Sequence, residues 1–112
     1  MNPLRIFLLA ALILVVFSSN SAEATEVKEP KWYYTAGGSF YSVSISADGE
    51  YIVSGTCCSS QYSKVKLFSK DSSNSLWSYA VSGGVPSVAI SDDGEYIAAG
   101  DGYSKLRLWK KD

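Results

Sequence analysis

Residues 42–55, SVSISADGEYIVSG, return almost unchanged at 87–100 as SVAISDDGEYIAAG. Nine of the first eleven positions are identical, and the offset is 45 residues throughout. A unit repeated at this period is one supersecondary element that buries its apolar face only by stacking on a neighbour. The duplication therefore restricts the chain to a modular array.

The repeat extends beyond that core. WYYTAGG at 32–38 is matched 45 residues later by WSYAVSGG at 77–84, with the aromatic and β-branched content of a strand that ends in flexible residues. In the core, Val43 and Ile45 alternate with serines, the period of two that sets both apolar side chains on one face of a strand. Each such strand runs into Asp-Gly, at Asp48-Gly49 and Asp93-Gly94. There glycine accepts positive φ and aspartate can bond its own backbone, which predicts a tight hairpin.

The returning strands are expected at 51–54 and 96–99. The copies then differ in length, because residues 56–61 stand where the second copy has only Asp101-Gly102. The offset becomes 41 and aligns YSKVKLFSKD at 62–71 with YSKLRLWKKD at 103–112. Val65 and Leu67 alternate with lysines, as Leu106 and Leu108 alternate with Lys105 and Arg107. The pattern predicts an outer strand with one wet and one buried face.

Four short strands per unit of 41 to 45 residues, with no helical periodicity after the N-terminal segment, predict an all-β chain. Residues 32–112 resemble two repeats of the WD-type β-propeller family, through S-V-x-I-S-x-D-G-E-Y-I followed by K-L-R-L-W-K-K-D and its Trp109. Secreted quinoprotein and surface-layer propellers are similar too. Gly37-Gly38 and Gly83-Gly84 stand where the WD family has Gly-His, Phe68 stands where it has its first tryptophan, and Asp101 matches its turn aspartate only in the second repeat.

The resemblance implies two four-stranded antiparallel β-propeller blades in d-a-b-c register, with repeats at 32–76 and 77–112. The second blade lacks its own d strand. About four blades are the fewest that close a ring, so a single chain is an incomplete propeller. Trp32 and Tyr34 at one end, and Leu106 and Leu108 at the other, are expected to form edges between chains. Pairing them head to tail in a homo-oligomer would give six blades from a trimer or eight from a tetramer. The alternative is a fragment or subunit of a larger secreted propeller enzyme or sensor, quinoprotein-like, whose other blades are missing.

Ahead of the repeats, Arg5 precedes an unbroken apolar run of 12 residues at 6–17, and Ala22-Glu23-Ala24 offers a small-x-small cleavage pattern. This predicts a secretory signal peptide over 1–24, then a polar tether over 25–31 containing Pro30. A membrane anchor, the alternative, would need about 20 apolar residues. Secretion to an extracellular or periplasmic space follows.

The whole chain has a net charge of −1, and losing Arg5 and Glu23 leaves it unchanged. No basic cluster invites nucleic acid or, after cleavage, an anionic membrane. The chain has no histidine, which removes the commonest general base and metal ligand. The carboxylates beside Gly49 and Gly94 read as turn chemistry; these turns are too short for a calcium loop.

No catalytic set, metal site or cofactor site is expected, and the chain reads as a non-enzymatic module binding a protein or glycan. Its candidate interaction face is Phe40, Tyr41, Gln61, Tyr62 and Tyr103, on loops expected to share one end of the strands. Cys57-Cys58 lies at the same end. In an oxidising compartment a disulfide between these adjacent cysteines is the first expectation, with cross-links between chains and buried thiols as alternatives.

Overall fold

The computed structural model describes residues 25–58 and 63–112, so the expected signal peptide lies outside the described residues. Residues 25–30 have no regular secondary structure and are exposed. All strands belong to one unit, Lys31–Asp112. They are β1 (Ser39–Ile45), β2 (Tyr51–Cys57), β3 (Ser63–Ser69), β4 (Ser75–Val81), β5 (Ser87–Ile90), β6 (Tyr96–Gly100) and β7 (Leu106–Lys110). The first four form one antiparallel sheet in the order β1-β2-β3-β4, and the last three form another in the order β5-β6-β7.

Both hairpins turn at the predicted Asp-Gly pairs, with Gly49 at φ 74° and Gly94 at φ 75°. The two turns are built alike. The hydroxyl of Ser46 donates to Asp48 at 2.7 Å, and Asp48 accepts the Glu50 amide at 3.0 Å. Ser91, Asp93 and Glu95 repeat this at 2.7 and 3.0 Å. These donors hold the Asp48 and Asp93 carboxyls below the ordinary carboxylate range, led by the Ser46 hydroxyl at Asp48 and by the Glu95 amide at Asp93.

The sheets stack face to face. What we term the front of the first sheet supplies Val53, Val65, Leu67 and Val81 to the core. The side of the second sheet facing it, termed the back, supplies Ile97 and Ala99, with Val88, Ile90 and Trp109 packed alongside and Val85 at the approach to β5. Gly55 sets the closeness of that approach, because a Cβ there would lie 2.6 Å from Val85 Cγ1 and 2.7 Å from Ser42 Oγ. The Ser42 hydroxyl donates to the Val85 carbonyl at 3.0 Å, so the serines of β1 line the stacked face.

Two expectations change, and one predicted face meets no cover. Val43 and Ile45 do share a face, but they stand 68% and 59% exposed, because that face is the back of the first sheet and carries no sheet over it. The predicted strand at 32–36 alternates in burial as a strand does but belongs to neither sheet. It lies over the back of the first sheet, where Trp32 and Tyr34 contact Phe68, Lys66 and the Lys70 carbonyl. The β3 segment is third of four, flanked on both sides, because β4 completes its sheet; β7 is the strand left at an edge.

Candidate functional site

Two surfaces stand out, one at the loop end of the strands and one on the uncovered faces of the sheets. At the loop end the sulfurs of Cys57 and Cys58 are in close contact, with Cys58 at φ 64°. The Tyr41 hydroxyl lies 3.3 Å from Cys58 Sγ. A Cβ on Gly84 would come within 3.1 Å of Cys57 Sγ, and one on Gly83 within 3.0 Å of the Tyr103 ring. The Gly102 amide then donates to the Gly84 carbonyl at 3.0 Å, and the Val85 amide to the Thr56 carbonyl at 3.2 Å. Tyr41, the cysteine pair, Gly83-Gly84 and Tyr103 thus form a row across one end of both sheets, with Tyr41 55% and Tyr103 68% exposed.

Asp101 holds the Tyr103 end of this row. Its carboxylate accepts the amides of Tyr103 at 2.9 Å and Lys105 at 3.0 Å and pairs with the Arg107 guanidinium. The Arg107 hydrogen bond, then the backbone amides, lower its pKa to about 2. The side chain is nearly fully covered, at 4% exposure.

The other predicted residues separate. Phe40 is not in the row. It faces the back of the first sheet, edge-on to Tyr34 with ring centroids 6.4 Å apart, because the β-bulge between Phe40 and Ser42 turns Tyr41 alone toward the loop end. Gln61 and Tyr62 lie outside the described residues. Leu106 and Leu108 are on the front of the second sheet, 81% and 68% exposed, where their counterparts Val65 and Leu67 on the first sheet are fully buried.

Trp32 and Tyr34 lie over the back of the first sheet as Trp77 and Tyr79 of β4 lie over the back of the second. The Trp32 indole donates to the Lys70 carbonyl at 2.8 Å, and the Trp77 indole to the Lys111 carbonyl at 3.2 Å. Trp32 sits 5.6 Å from the Phe68 ring, and Trp77 sits 5.7 Å from Trp109. Tyr34 to Phe68 and Tyr79 to Trp109 are both 5.3 Å. Lys66 lies over the Tyr34 ring and Arg107 over the Tyr79 ring, at 5.2 and 5.7 Å. Residues 32–36 thus contact the back of the first sheet much as β4 contacts the back of the second.

Beside them an apolar groove of about 240 Å³ opens between Trp32, Phe40, Val43, Ile52 and Phe68. Sequence reasoning missed Val43, Ile52 and the otherwise buried Phe68 as residues lining a groove. Their counterparts Val88, Ile97 and Trp109 pack against the core between the two sheets, so the repeat makes all six look alike. Among the described residues no group of three or more Cys, Asp or Glu side chains is placed to hold a metal ion. In comparisons with known proteins, no family model and no curated sequence matches the chain.

Proposed function

We propose that this chain is an exported, non-enzymatic β-propeller module of the WD-like type, which binds a protein or glycan at its loop end. In this reading the two sheets are successive blades, and three or four copies supply the blades that close a ring. The front-to-back stacking of two sheets built from one repeat supports it most directly. The second sheet is received by the first in a way that could be continued, and contacts around Trp32 are repeated around Trp77.

The row of Tyr41, the cysteine pair and Tyr103 suits a binding face. It joins loops from both sheets and presents two exposed tyrosines, which offer flat apolar area with a polar tip. Cys57 and Cys58 form a vicinal disulfide in this reading, which stiffens the loop beneath Tyr41. Intact mass of the exported protein under non-reducing conditions, before and after alkylation, is expected to show no free thiol; two alkylated cysteines would remove this element.

The deciding experiment is light scattering on the exported protein coupled to size exclusion. A discrete particle of three or four chains supports the module, whereas polydisperse aggregation favours a piece of a larger propeller.

A further inference from the structure

The central apolar contacts between the two sheets have unused counterparts elsewhere on the chain. The front of the first sheet meets the back of the second through Val53, Val65 and Leu67 on one side and Val88, Ile97 and Ala99 on the other. The repeat offsets carry the first group to Ala98, Leu106 and Leu108, which line the open front of the second sheet. They carry the second group to Val43, Ile52 and Ser54, which line the groove on the back of the first.

The finer fittings behave the same way. Tyr51 packs so closely on the second turn that a Cβ on Gly94 would come within 2.7 Å of its ring, and Lys111 stands 4.9 Å above that ring. The counterparts are Tyr96, which is 49% exposed, and Gly49, whose Cβ position is open space. Gly55 is pressed against Val85, while its counterpart Gly100 has nothing within 4 Å. These fittings leave unmet parts on both uncovered faces that correspond through the repeat, mostly apolar, with Ser54 the polar member.

From this we infer that the two uncovered faces are halves of one contact between copies of the chain. The front of the second sheet of one copy seats on the back of the first sheet of the next, and residues 32–36 of that next copy pair antiparallel with β7. This rests on the repeat-module reading and adds a partner and a register to it. Within the chain, β3 pairs with β4 as Lys64 opposite Ala80, Val65 opposite Tyr79, Lys66 opposite Ser78 and Leu67 opposite Trp77. The repeat offsets convert this to Lys105 opposite Thr35 of the next copy, Leu106 opposite Tyr34, Arg107 opposite Tyr33 and Leu108 opposite Trp32.

The pairing needs little ordering of the donor. Residues 32–36 already alternate in burial as a strand does, with Trp32 held on Phe68 and the Lys70 carbonyl, and they pair with no strand of either sheet. An extended segment that adds to an exposed sheet edge gains main-chain hydrogen bonds from the edge and specificity from alternate side chains. Leu106 and Leu108 enter the groove on the same event, so ladder and apolar contact form together.

The test combines cross-linking with face-blocking variants in the whole protein. Thr35→Cys with Lys105→Cys is expected to give covalent multimers on a non-reducing denaturing gel. Tyr33→Cys with Lys105→Cys, on the same faces but two residues out of register, is not, because a disulfide requires Cα atoms within about 7 Å. Val43→Glu and Leu108→Glu each change a residue exposed in its own chain, and each alone is expected to reduce the particle to a single chain. Mixed in equal amounts, they are expected to recover a two-chain species through their intact faces. An assembled protein that cross-links equally in both pairs, or in neither, overturns this contact and leaves the module reading standing, as does failure of the mixture to pair. A wild-type protein that remains a single chain at all concentrations overturns both.

Discussion

Asp101 shows how much one side chain settles in a short loop. The first repeat spans the equivalent gap with six residues, whereas the second does it with two and a carboxylate that ties down two amides and Arg107. Its pKa in the fold is about 2, below the ordinary 3.8. A group lowered on folding stabilises the fold fully above its unfolded value and loses that contribution as pH falls through its folded value. Melting temperatures of the wild type and Asp101→Asn are therefore expected to differ most at pH 5 and above and to converge from about pH 4 toward pH 2; a constant gap would refute the assignment. Ser54 is the converse case. Its hydroxyl is buried without a partner among the described residues, and the matching position in the second repeat is Ala99. Ser54→Ala is expected to raise stability by about 1 kcal/mol in urea unfolding, the order of an unsatisfied buried hydroxyl removed.

At the level of strands and turns, much was legible because turn chemistry and period-2 alternation are local. The Asp-Gly hairpins, the pairing order within each repeat and the missing fourth strand of the second sheet all follow from residues near one another in sequence. What covers a face is not local. Val43 and Val88 sit in nearly identical sequences, yet the first looks outward and the second into the core, so alternation identified an apolar face without identifying its cover. Residues 32–36 read as a strand by their aromatic and β-branched content, but a ladder needs an edge alongside. The bulge that withdraws Phe40 from the loop end left no clear mark in the sequence. Matched glycines put the same point to test. Gly55→Ala forces a Cβ against Val85 and is expected to cost about 1–3 kcal/mol, the usual penalty of overpacking. Gly100→Ala, at the same place in the second sheet, meets open space and is expected to leave unfolding of the dilute chain nearly unchanged; equal losses at the two sites would contradict the packing described.

For the molecule as a whole, the core lies between the sheets rather than within either. Leu67 and Leu108 occupy the same place in their repeats, one fully buried and one 68% exposed. Leu67→Ala is expected to cost about 2–5 kcal/mol as a cavity in the core. Leu108→Ala in dilute solution is expected to stay within about 0.5 kcal/mol of the wild type, as for a surface change. Denaturant curves at low protein concentration read both values, and comparable losses would place the core elsewhere. The stacking of front on back also carries a consequence of counting. A join between unlike faces consumes one of each, so any open row of such sheets, however long, ends with one of each to spare. Lengthening the row never removes the mismatch. Only curvature does, by bringing the last sheet round to the first, and the tilt between two sheets in a single chain would then determine how many chains a finished object holds.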